Sequence, residues 1–223
     1  MVRRPNRWQL ITLETGLHSI VPFPRFYPIL DADCFPNAAA MLAAACELQA
    51  AGVQLLQYRN KRDSAGRILE DAKQLRKVLG SSVCLIMNDR ADLCLAAEFD
   101  GVHVGQEDLS AESARRVIGA DLWLGVSTHN SEQLRQADAT TADYVAIGPV
   151  FATSSKENPD PVVGLDGVRR ARELTRKPLV AIGGITRANA LDVIRAGADA
   201  VAVISDLLPA PRKSAEEFFR ILG

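Results

Sequence analysis

Apolar residues along this chain come in short bursts that are hydrophobic at odd and even positions alike. RFYPILD (Arg25 to Asp31), VQLLQYR (Val53 to Arg59), VCLIMND (Val83 to Asp89) and GVHVG (Gly101 to Gly105) open the series. LWLGVS (Leu122 to Ser127), YVAIG (Tyr144 to Gly148), LVAIGG (Leu179 to Gly184) and AVAVIS (Ala200 to Ser205) complete it. Such runs predict strands of a parallel sheet buried on both faces. The stretches between them carry a helical period, and Ile68, Leu69, Ala72, Leu75 and Leu79 make one apolar stripe. Expected helix starts are Asp63, Ser110, Asn130 with Gln133, and Ser214 with Glu217 in capping-box spacing.

Eight strands alternating with eight helices predict an α/β chain folded as a single (β/α)8 TIM barrel. A doubly wound open sheet is the competing architecture. It normally opens on a glycine-rich first turn, and FYPILDADCFP has no GxGxxG. Residues 1–24 read as an N-terminal extension packing against the barrel, and residues 25–223 as the barrel and catalytic domain.

Charge narrows the partners. Lys and Arg total 26 against 27 Asp and Glu, so nothing asks for nucleic acid or an anionic membrane surface. No apolar run reaches the roughly 18 residues that span a bilayer, and MVRRPNRWQLITLETG lacks the apolar core of a secretory signal. Cys34, Cys46, Cys84 and Cys94 form no CxxC pair. With Cys46 and Cys84 in apolar patterns, they read as reduced, mostly buried thiols of a cytoplasmic protein. The three histidines lack metal-ligand spacing. The sequence leaves open a homo-oligomer.

In a barrel, chemistry gathers where strands end. Val53, Leu55, Gln57, Arg59 and Lys61 share one parity. If the first two fill the interior, the last three rise into the mouth, where two cations and an amide call for an anion. An outward-facing charged loop is the alternative. Asp89 and Asp108, from adjacent strand ends, suit an oxygen-ligated Mg2+ shared with phosphate oxygens; two solvated or salt-bridged aspartates would look the same. Gly183-Gly184 after the seventh strand and Ser205 after the eighth suit a phosphate held by backbone N–H groups, although many tight turns also carry Gly-Gly. Two anion sites in one mouth imply two phosphorylated small-molecule substrates, one of them a diphosphate. The long connector after Gly148-Pro149, with Lys156 near its middle, reads as a lid over them.

In order and spacing, QYRNK, NDR, GVHVGQED, GVSTH, DYVAIGPVFATSSK, PLVAIGGI and GADAVAVIS resemble the motifs of the thiamine-phosphate synthase family. The likeness runs from about Arg25 to the end of the chain. It implies a Mg2+-dependent transferase. The substrates would be 4-amino-2-methyl-5-hydroxymethylpyrimidine diphosphate and 4-methyl-5-(2-hydroxyethyl)thiazole phosphate. The products would be thiamine phosphate and pyrophosphate. By the same resemblance Gln57, Arg59, Lys61, Asn88 and Lys156 would grip the diphosphate, and Asp89 and Asp108 would hold Mg2+. Ser127 would lie near the bridging oxygen and the pyrimidine, and Thr153, Ser155, Gly184, Ile204 and Ser205 would bind the thiazole phosphate. The family loop often reads TxTK where this chain has Thr153-Ser154-Ser155-Lys156; the serine keeps the hydroxyl, so phosphate binding is expected to survive. The extension has no counterpart in the family pattern.

The implied reaction needs no strong general base, because the thiazole nitrogen attacks with a free lone pair. Departure of pyrophosphate is the hard step, and Arg59, Lys61, Lys156 and the metal would stabilise the leaving charge. Two other functions compete. One is a thiazole tautomerase using His129 as acid or base, with no use for a metal. The other is a ligand-binding barrel without turnover.

Overall fold

The computed structural model describes residues 11–12, 18–19, 23–153, 160–208 and 210–223. Eight parallel strands close into a barrel. They are β1 (Phe26–Asp31), β2 (Leu55–Arg59), β3 (Cys84–Asn88), β4 (Gly101–Val104), β5 (Trp123–Thr128), β6 (Tyr144–Ile147), β7 (Leu179–Ile182) and β8 (Ala200–Val203). The helices outside are α1 (Ala38–Ala50), α2 (Ala65–Leu79), α3 (Ala91–Ala96), α4 (Ala111–Ile118), α5 (Ser131–Asp138), α6 (Gly164–Leu174), α7 (Ala190–Arg195) and α8 (Pro211–Leu222). Ahead of the barrel, Ile11–Thr12 and His18–Ser19 form a short antiparallel pair.

Apolarity at both parities has the expected cause: each strand feeds two cores. One parity (Leu30, Leu56, Leu85, Val102, Val145, Val201) packs against the helices. The other (Tyr27, Ile29, Leu55, Ile86, Trp123, Tyr144, Val180, Ala202) fills the barrel. Phe23, at the end of the segment preceding β1, packs edge-on against Trp123 and Tyr27, at ring centroids 6.2 and 6.4 Å away, and is tilted against Tyr144.

Three local expectations change. The cap of α2 is Ser64, whose hydroxyl accepts from Arg67 N at 3.4 Å, while the Asp63 carboxylate is taken by Asn60 Nδ2 at 2.9 Å. Ser214 is buried inside α8, which starts at Pro211, where a residue without an N–H loses nothing; Glu217 faces Arg187 instead. Val53 precedes β2 and packs toward the helices, so it does not share the interior face of Leu55. Ser110 and Asn130 do cap α4 and α5. Of the cysteines, Cys84 and Cys94 are buried and Cys34 and Cys46 exposed.

The end where strands begin repeats one device three times. Arg76 of α2, Arg115 of α4 and Arg172 of α6 reach Asp100, Asp143 and Asp199 at 2.6, 2.7 and 2.6 Å. Each aspartate sits just before an even-numbered strand and also accepts the N–H of Leu85, Leu124 or Leu179 at 2.8, 2.8 and 2.7 Å. One carboxylate thus joins a helix to the starts of two strands.

Candidate active site

At the opposite end, β2 alternates as its pattern predicts. Leu55 and Gln57 point inward, and Gln57 Nε2 donates to the Tyr27 hydroxyl at 3.0 Å. Arg59, the last residue of β2, is registered beside Asp31 of β1 and ion-pairs with it. Asp31 is a site residue the sequence reading missed. Burial pushes its carboxyl upward and the Arg59 guanidinium pulls against that. Lys61, half exposed, places Nζ 3.1 Å from Asp89 Oδ2.

The end of β3 carries an unmatched polar group. Asn88 has a buried side-chain amide nitrogen without a partner, the only such buried polar atom among the described residues. Buried amides nearly always find one. Asp89 follows with φ 62°, a left-handed conformation that aspartate tolerates better than most residues, fixed by its N–H donating to His103 O at 2.8 Å. Its carboxyl lies against that of Asp108. Burial first, and Asp108 second, push the Asp89 pKa up to about 6, with Lys61 opposing. Asp108 Oδ2 accepts Gly105 N at 2.7 Å, which closes the turn after β4. On β5, Ser127 places Oγ 2.8 Å from His103 Nε2, and Gln106 Nε2 holds the Ser127 carbonyl at 2.6 Å.

The second cluster lies across the mouth. Gly183 and Gly184 have φ of 99° and 63°, and a Cβ on Gly184 would meet Ala152 O at 2.5 Å. Only glycine permits that approach, and it brings Phe151 and Ala152 onto the turn after β7. Phe151 N donates to Gly183 O at 3.0 Å along the same seam. Ile204 caps a short 3-10 turn, Ser205–Leu207. Asp206 in that turn accepts from Arg187 N and Nε at 2.8 and 2.9 Å, tying the loop after β7 to the loop after β8. Gly184, Ile204, Ser205 and Thr153 therefore stand on neighbouring loops. Ser155 and Lys156, and with them the lid reading, lie outside the described residues.

His129 follows β5 and contacts the segment after β6. Its Nδ1 is 2.7 Å from Gly148 O and its Nε2 is 3.5 Å from Asp160. His103, Tyr27 and Tyr144 were not assigned from sequence; the available signal was polar groups at the inward parity of β1, β4 and β6.

Asp89 and Asp108 offer hard carboxylate oxygens side by side, with a buried unpartnered amide next to them. The two carboxylates would suit Mg2+, a cation that prefers oxygen ligands. Among the described residues no group of three or more His, Cys, Asp or Glu could hold a metal. No helix of the described residues is long and apolar enough to cross a membrane.

A family model described as thiamine monophosphate synthase matches residues 26–207. A thiamine-phosphate synthase of Koribacter versatilis is 61% identical over 202 residues, covering 89% of this chain and 96% of that protein. One of Chloroflexus aurantiacus is 48% identical over 160 residues, 71% of this chain and 74% of that protein. Among solved structures, thiamine phosphate pyrophosphorylase from Pyrococcus furiosus superposes with a TM-score of 0.77 at 34% identity, over 89% of this chain and 95% of that one.

Proposed function

The chain belongs to the thiamine monophosphate synthase family, and from that premise we propose how the mouth of its barrel joins the two thiamine precursors. The pyrimidine diphosphate lies over the ends of β2 to β5, and the thiazole phosphate lies against the loops after β7 and β8. The observation that carries this reading is the Lys61–Asp89–Asp108 cluster beside the unpartnered Asn88 amide. Two carboxylates pressed together are unfavourable until a cation and its phosphate ligands arrive, and a buried amide without a partner is the donor such a phosphate would use.

Bound between Asp89 and Asp108, Mg2+ would supply positive charge to the diphosphate oxygens. The remaining work falls to this chain's own side chains. Arg59 donates to the diphosphate while Asp31 fixes its guanidinium. Lys61, beside Asp89, reaches toward the same oxygens, and Asn88 donates its amide. All three bind the leaving group more tightly as its charge grows, so they act on the barrier and not only on affinity. Gly184, Ile204, Ser205 and Thr153 hold the thiazole by its phosphate, so its nitrogen waits within reach of the pyrimidine methylene. Lys156 and Ser155 complete the two grips from the long connector.

The test mixes purified protein with both substrates and Mg2+, with and without EDTA. Thiamine phosphate should form, stop in EDTA and return when Mg2+ is added in excess. Synthesis that ignores EDTA would remove the metal from the site, and no synthesis at all would remove the reading. The tautomerase alternative has little support, since both His129 ring nitrogens already face partners.

A further inference from the structure

Inside the barrel, five side chains from five strands form one unbroken line of hydrogen bonds. Gln57 Nε2 donates to the Tyr27 hydroxyl at 3.0 Å, and the Tyr27 and Tyr144 oxygens are 2.9 Å apart. Tyr144 lies 3.0 Å from His103 Nδ1, and His103 Nε2 lies 2.8 Å from Ser127 Oγ. Gln57, Tyr27, Tyr144 and His103 are all buried, and only Ser127, at the end, is open to the mouth. Gly125 makes the meeting possible: a Cβ there would fall 2.2 Å from Tyr144 Cζ and 2.3 Å from His103 Nδ1.

A hydroxyl has one proton and a neutral imidazole has one N–H, so donors along such a line align head to tail. Two senses are open. In one, Gln57 donates first and each group passes the role on. In the other, Ser127 donates to His103 and Gln57 accepts. Gln57 is placed with its amino group toward Tyr27, a placement that agrees with the first sense. We propose that the line runs from Gln57 to Ser127, so that His103 carries its proton on Nε2 and Ser127 keeps its own hydroxyl proton to donate into the mouth. This rests on reading the mouth as the diphosphate site.

The sense of the line decides what Ser127 can do. Its oxygen accepts the His103 N–H, which leaves its own proton free to point into the mouth. There it meets an acceptor: the bridging oxygen of the diphosphate, where charge builds as the bond to carbon breaks. In the opposite sense that proton would be used up on His103 and Ser127 would present lone pairs to an anion. His103 is thus a positioning residue, as are Tyr144 and Tyr27 behind it. Burial, which pushes the His103 pKa down to about 4, keeps its ring neutral and agrees with a single N–H.

The decisive measurement needs no substrate. In full-length, metal-free protein labelled with 15N-histidine, two-bond proton–nitrogen spectra report which ring nitrogen carries the proton, with the His103 signals assigned by their loss in His103→Gln. Wild type should show His103 protonated on Nε2; protonation on Nδ1 overturns the proposal whatever the enzyme's substrates are. Tyr144→Phe removes the donor to Nδ1 and should let the other tautomer appear. With both substrates, that variant should lose about tenfold in kcat/KM for the pyrimidine diphosphate, with the KM for the thiazole phosphate unchanged. His103→Gln, which keeps an N–H near the Nε2 position, should retain more kcat than His103→Ala. An altered tautomer in Tyr144→Phe with unchanged kcat/KM would overturn the link to Ser127.

Discussion

Where the strands begin, Arg76, Arg115 and Arg172 each close on an aspartate that also binds a strand N–H, so opposite charges meet in all three clamps. Where the strands end, the same residue types are left in tension. Lys61 faces Asp89, Asp89 is pressed against Asp108, and the Asn88 amide has no partner. Like-charged carboxylates and an unmatched amide weaken a fold. Their gathering at one end separates a face that holds the barrel together from a face that holds ligands. Substitutions at the two ends should therefore fail in different ways.

The largest effect is expected at the mouth and in turnover. Lys61→Ala removes a half-exposed cation whose partner Asp89 is already crowded by another carboxylate. The loss of one positioned charge from the leaving group should lower kcat on the order of a hundredfold, with urea denaturation little changed. A kcat within a factor of about two of wild type would take Lys61 out of the clamp on the diphosphate and blur the contrast between the two ends.

Second in size is the reverse experiment. Asp143→Ala takes the carboxylate from Arg115, which keeps its backbone carbonyl acceptors, and leaves Leu124 N without its acceptor. The pair's side chains are 15% and 21% exposed, so the cost is set below that of a fully buried ion pair, at about 2–3 kcal/mol. Turnover per folded molecule should hold. A fall in kcat comparable to that of Lys61→Ala would mean the lower face shapes the mouth after all.

The strand face of this division was legible in the sequence and the clamps were not. Short β-rich runs apolar at both parities, set between helical patterns, read as doubly buried strands, and all eight were expected within a residue or two of where they lie. The mouth was legible for a similar reason: polar residues at the ends of apolar runs have few other places to go. Asp100-Gly101-Val102, Asp143-Tyr144-Val145 and Asp199-Ala200-Val201 do share an Asp-x-Val start. Its meaning depends on an arginine 24 to 28 residues earlier, and only the closed barrel brings the two together. The same holds for Asp31, which reads as a strand's last residue until register sets it beside Arg59. Tyr27, His103 and Tyr144 lie up to 117 residues apart and meet only because the sheet curls on itself. The choice of Ser64 over Asp63 as a cap was out of reach for a different reason. Both residue types cap well, and the decision turns on which side chain faces Arg67 N.

The smallest expected effect is a gain. Asp89 has its carboxyl raised from an ordinary 3.8 to about 6 by burial and by Asp108. Between those values the folded protein keeps a proton that the unfolded chain has released, so wild-type stability falls as pH rises across that window. Asparagine cannot ionise, tolerates the left-handed backbone that Asp89 adopts at φ 62°, and should escape the penalty. In EDTA, Asp89→Asn should match wild type near pH 4 and exceed it at pH 7 by about 1–2 kcal/mol. That figure is discounted from the shift itself because the exposed Lys61 pair is lost as well. Adding Mg2+ should stabilise wild type and leave the variant where it was, since only the intact pair binds the ion. A stability difference of equal size at both pH values would show that ionisation of Asp89 is not its source, and the mouth would no longer be the end of the barrel that gives up stability for binding.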